Sequence, residues 1–98
     1  MIVNRRTYNI KFGAMEEALE LVKPEFAAVR TRGYTHPYRI YVSNIGQFSQ
    51  IALEWEFQTL AELDEFWTSW RPENPDFPEK WYGLQRAEIE IEVWDLVD

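Results

Sequence analysis

Two stretches of the chain set carboxylates at every second position: Glu54 and Glu56 within Gln50 to Phe57, and Glu88, Glu90 and Glu92 within Ala87 to Trp94. A spacing of two places such acids on one face of an extended strand. The matching parity of two further alternating stretches carries Arg5 and Arg39, and Tyr41 and Trp94 join the same face. With five carboxylates against two guanidinium groups, at least one acid lacks a cationic partner, and crowded like charges raise a carboxyl pKa toward the range useful for proton transfer. Glu54 and Glu90, in mid-strand positions far from bulk water, are the candidate bases. Arg5, Arg39, Tyr41 and Trp94 are the candidate ligand-binding residues beside them. The competing reading of this face is a solvated, salt-bridged surface or a polar seam between two copies of the chain.

Other chemistries find less support. His36 is the sole histidine, so it is the one imidazole available to a base, a metal or a haem iron, and its place before Pro37 reads as an exposed turn residue. Strand-borne acids do not cup an ion and no EF-hand spacing occurs, so no metal site is expected. No cofactor is expected either: there is no Gly-rich phosphate loop, and Gly-x-Ser-x-Gly and Ser/His/Asp nucleophile patterns are absent too. Of the five tryptophans, Trp55, Trp67 and Trp70 fall on core-facing positions, whereas Trp81, in a long connection, and Trp94 are placed to line a flat ligand or to enter a partner subunit.

Composition bounds the alternatives. Ninety-eight residues build one hydrophobic core, so residues 1–98 read as a single domain. A hydrophobic share of 46%, with 16% aromatic, is ample for that core. The absence of cysteine excludes a disulfide framework, a thiolate zinc site and thiol chemistry. Seventeen acids against ten bases give a formal charge of −7, which opposes binding to nucleic acid. No apolar run is long enough to span a membrane and Met1 to Arg6 does not resemble a signal peptide, so a cytoplasmic location is expected.

The elements that must position these residues follow from periodicity. Ile2 to Phe12 alternates as a strand with Tyr8, Ile10 and Phe12 on the buried parity. After Gly13, apolar residues from Met15 to Val29 recur at helical spacing, with Pro24 predicting a kink or a division into two pieces. Tyr38 to Val42 and Gln50 to Phe57 are strands joined through Asn44-Ile45-Gly46 as a hairpin. Thr59 and Glu62 form a capping box before a helix whose apolar face runs through Leu63, Phe66 and Trp70 and which Pro72 stops. Arg71 to Leu84 reads as a long loop, a candidate lid, and Ala87 to Trp94 as a last strand that buries Ala87, Ile89, Ile91 and Val93.

This order is that of a ferredoxin-like βαββαβ domain: an α+β fold with a four-stranded antiparallel sheet, two helices on one face and the polar parity on the other. The expected strand order 4-1-3-2 flanks Arg5 with acids from both neighbouring strands. The run Arg6-Thr7-Tyr8 leading to a helix-opening Gly, the Gly46 hairpin, Leu53-Glu54-Trp55, Phe57-Gln58-Thr59-Leu60-Ala61-Glu62-Leu63 and the late Trp81 together resemble the NIPSNAP branch of the dimeric α/β-barrel superfamily. The resemblance implies a homodimer in which two sheets face each other. It also implies an interior that binds or transforms a small organic molecule, in the manner of cofactor-free monooxygenases or isomerases. The alternative is a dimer module with no catalytic role, because fold membership alone does not select a chemistry.

Overall fold

The computed structural model describes residues 1–97. Seven elements follow in order: strand β1 (Ile2–Asn9), helix α1 (Met15–Thr31), strands β2 (Tyr38–Val42) and β3 (Gln50–Phe57), helices α2 (Leu60–Ser69) and α3 (Phe77–Gly83), and strand β4 (Glu90–Asp95). The strands form one antiparallel sheet in the order β2-β3-β1-β4. The first and third strands therefore occupy the centre, as a split βαβ chain requires, and the fold is ferredoxin-like with a third helix added.

Alternation fixes which side of the sheet is covered. On β3, Ile51, Leu53, Trp55 and Phe57 are all buried on the helix side. Ala18, Val22, Phe26 and Val29 of α1 meet that side at helical spacing. Helix α1 runs unbroken through Pro24, whose missing N–H removes one helical hydrogen bond. The start of α2 is fixed as the capping box predicts. Thr59 Oγ1 accepts from the Glu62 amide at 3.2 Å, while the Glu62 carboxylate reaches back to the Gln58 amide at 2.8 Å. Phe66 then points into the core, where its ring lies 4.7 Å from Trp55, 5.0 Å from Trp67 and 5.2 Å from Tyr34. Each such aromatic pair adds roughly 0.5–1.5 kcal/mol beyond the area it buries.

Three expectations are corrected. The segment 71–84 is not a structureless lid. It contains α3, which opens with Pro78 in its first turn, where a missing N–H costs nothing, and which buries Phe77 and Trp81 in the chain's own core. The first strand ends at Asn9, and Phe12 is 75% exposed beyond a single bridge between Ile10 and Gln85. The last strand begins only at Glu90, and its apolar parity is open: Ile91 is 55% and Val93 47% exposed. The reason is position, since β4 is an edge strand paired with β1 alone.

Candidate functional site

The polar face assembles in the expected register. Arg5 stands opposite Glu54 on one side and Glu92 on the other, and Arg39 also stands opposite Glu54. Arg5 Nε donates to Glu54 Oε2 at 2.7 Å, and a second guanidinium nitrogen reaches the same oxygen. The Tyr41 hydroxyl donates to Glu54 Oε1 at 3.1 Å, and Arg39 lies 3.9 Å from that oxygen. Partial burial, then the hydrogen bond and the negative charge of Glu54, push the Tyr41 phenol above its usual pKa.

Glu54 is therefore 5% exposed with both oxygens engaged. Such a carboxylate braces the neighbouring strands, with three hydrogen bonds from Arg5 and Tyr41. Glu90 differs from the expected mid-strand residue: it opens β4, faces Thr7, and is exposed. Trp94 lies opposite Val3 and is exposed as well. Trp81 is not on this face at all. It sits 5.0 Å from the Tyr8 ring and stacks on Phe77 at 5.7 Å, on the helix side. His36 is half-buried, its ring 4.7 Å from that of Phe57.

The concave feature lies on the opposite side of the sheet. A cavity of about 490 Å³ opens between the sheet and the three helices, walled by Tyr8, Trp55, Trp67, Trp70, Phe77 and Trp81. Its volume falls within the range of small-molecule pockets, roughly 300–1,000 Å³. A neighbouring hollow of about 660 Å³ shares Tyr8, Tyr82 and Gln85 with it.

Two polar residues at apolar positions give the cavity its character. Arg6 has the buried parity of β1, with Leu53 and Ile91 as its cross-strand neighbours. Its guanidinium carbon lies 3.9 Å above the centre of the Trp67 ring. Below it, Asn4 is almost fully buried. Asn4 Oδ1 accepts from Trp67 Nε1 at 3.0 Å and from Arg6 Nε at 3.4 Å, while its Nδ2 donates to the Glu92 carbonyl at 3.0 Å. Asn4 thus fixes both the indole and the guanidinium stacked on it. Glu25, on the buried stripe of α1, accepts from the backbone amides of Glu73 at 2.8 Å and Asn74 at 3.0 Å, which ties α1 to the segment leading into α3.

Burial raises the Tyr8 phenol above its usual pKa, while the charge and approach of Arg6 and the approach of Trp81 pull it back in part. Trp55 Nε1 is buried and, among the described residues, has no acceptor. Asn4 and Glu25 belong to no motif, and Arg6 belongs only to the Arg6-Thr7-Tyr8 run. The signal that finds them is a polar residue repeated on an apolar parity, at positions 4 and 6 of β1 and position 25 of α1.

The comparisons agree with this geometry. The family model described as NIPSNAP matches residues 3–90. The chain belongs to the NIPSNAP family. A search of the curated proteins finds no match. Among solved structures, the chain is similar to a NIPSNAP family protein from Agrobacterium tumefaciens str. C58, with 25% identity, a TM-score of 0.78, and coverage of 99% of this chain and 93% of that one. It is also similar to an uncharacterised NIPSNAP domain protein from Burkholderia xenovorans, at 17% identity, a TM-score of 0.72 and coverage of 99% and 95%. A structure described as an antibiotic biosynthesis monooxygenase shares the fold over the whole of both chains at 18% identity and a TM-score of 0.73. This NIPSNAP chain thus has the ferredoxin-like fold of the dimeric α/β-barrel superfamily. Among its described residues, no helix is long and apolar enough to cross a membrane.

Proposed function

We propose that the chain binds a small, flat organic molecule in the cleft between its sheet and its helices, and that it does so as a homodimer joined through the polar sheet face. The observation that carries the first part is the aromatic cavity of about 490 Å³ with the Arg6 side chain in its wall. Pockets of this volume, lined by aromatic side chains with few polar groups, are the usual form of a small-molecule site. A cavity of this volume counts against the alternative of a dimer module without a ligand.

The second part rests on the open face of the sheet. Arg5, Arg39, Tyr41 and Glu54 form a rigid charged lattice, with Glu90 and Trp94 at its margin. In this reading they are seam residues, and Glu54→Gln or Glu90→Gln leaves ligand affinity unchanged. The fold shared with a monooxygenase structure makes oxygenation or isomerisation of the bound molecule, without a cofactor, the chemistry to assay first.

Native mass spectrometry of gently purified protein tests both parts in one spectrum. A dimer carrying additional mass supports the reading. A bare monomer overturns it, since it leaves both the seam and the cavity without occupants.

A further inference from the structure

The cavity's polar groups are unevenly matched, and the imbalance bears on the chemistry of what it holds. Its lining includes Arg6 and Tyr8, which carry hydrogen-bond donors. Glu25 is the one carboxylate lining it among the described residues, and both of its oxygens are taken by the Glu73 and Asn74 amides. The Gln85 amide nitrogen donates to the Trp81 carbonyl at 3.3 Å, and the Gln85 side chain is neutral.

Arg6 is the one cation in that wall among the described residues, and none of the ion pairs among them includes it. Its Nε donates to Asn4 and the guanidinium also approaches the Tyr8 hydroxyl, so it has neutral partners and no carboxylate. Arg86, beside the neighbouring hollow, donates to the Ile10 carbonyl at 3.2 Å and the Phe48 carbonyl at 3.1 Å. Arg6 is half-buried between Leu53 and the exposed Ile91, and stacking on Trp67 compensates its charge only in part. A carboxylate would meet the guanidinium fork in its preferred geometry, and the weakened screening of the cleft would strengthen the pair.

We infer that the ligand of this cavity is a planar aromatic or conjugated anion, a carboxylate in the simplest case, whose charge is held by Arg6 and whose ring lies among the tryptophans. This rests on the small-molecule reading above and names the ligand class for the same site. Asn4 and Trp67 are positioning residues here, since they hold the guanidinium that touches the anion.

The test uses three probes of nearly equal shape: 2-naphthoate, 2-naphthalenemethanol and 2-naphthylmethylammonium. Each is titrated into the full chain by calorimetry at low salt. The expected order of affinity is anion, then neutral, then cation, with the anion ahead of the alcohol by about tenfold, as one charged hydrogen-bonding pair supplies. Arg6→Met brings anion and alcohol to within about twofold of each other, while Arg6→Lys keeps part of the preference. Equal affinity for the three probes in the parent chain overturns the charge assignment and leaves the small-molecule reading standing. Failure of all three to bind overturns both. The ranking in the parent protein decides the matter even where a variant does not fold.

Discussion

Glu25 offers the sharpest single test of how the cavity is built. Its carboxylate lies on α1 and accepts two backbone amides from the α2–α3 connection, at 2.8 and 3.0 Å. Hydrogen bonds to a charged group contribute about 1.5–3 kcal/mol each, so the pair is worth roughly 3–6 kcal/mol at most. Glu73 is exposed and Asn74 partly so, and water can replace the carboxylate at both amides, which lowers the expected cost of Glu25→Ala to about 3 kcal/mol. Glu25→Gln keeps one acceptor oxygen but turns an NH2 toward a second donor, for an expected loss of about 2 kcal/mol. In a domain of this size each kcal/mol moves Tm by about 4–8 °C. The assay is thermal and urea unfolding of both variants, with hydrogen exchange followed at the Glu73 and Asn74 amides. Both amides should lose protection first, because the variant frees the segment that carries α3. A Glu25→Gln protein within about 0.5 kcal/mol of its parent, with protection at 73 and 74 intact, would refute the assignment of Glu25 as the tie between α1 and α3.

Two further predictions concern the two faces of the sheet. The Tyr8 phenol is raised by burial above its ordinary value of 10.0, so in alkali the unfolded chain releases this proton before the folded one. Stability therefore falls as pH rises through about 10, and Tyr8→Phe flattens that fall in urea unfolding followed against pH. On the other face, Glu54→Ala leaves Arg5 and Tyr41 without their common acceptor, while Arg39 keeps Glu56 at 3.6 Å. Both arginines are about half exposed and can turn to water, so the expected cost is about 1–2 kcal/mol and it shrinks with added salt. A salt-independent loss above about 4 kcal/mol would show that Glu54 is a core anchor of another kind.

The fold was largely legible because its signals are local. Alternation in Ile2 to Asn9 and Gln50 to Phe57, together with the Thr59–Glu62 box, specifies strands and a helix start irrespective of the rest of the chain. Helix α3 was not, since Pro72, Pro75 and Pro78 read as loop residues unless Pro78 is recognised as a first-turn proline with Glu79 beside it and Lys80 in the last turn. The exposure of Ile91 and Val93 was also hidden, because parity says which residues share a face and not whether anything covers it.

The site divides in the same way. The lattice of Arg5, Arg39, Tyr41 and Glu54 follows from parity and strand order, yet its internal pairing, which ties up Glu54, depends on side-chain geometry that spacing does not carry. The cavity was illegible as a cavity: Trp55, Trp67 and Trp70 do face the core, and only their packing around Asn4 and Arg6 leaves space between them.

The five tryptophans supply their own reporter for the central claim. Trp55, Trp67, Trp70 and Trp81 line the cavity, whereas Trp94 stands on the opposite face of the sheet. Five indole N–H signals should therefore appear in a nitrogen–proton correlation spectrum of the labelled chain, and 2-naphthoate can be titrated against them. The account predicts that the four cavity indoles shift, Trp67 most because its ring carries the Arg6 guanidinium, while Trp94 stays in place. Movement of Trp94 with the other four unchanged would put the ligand on the polar face and contradict the account.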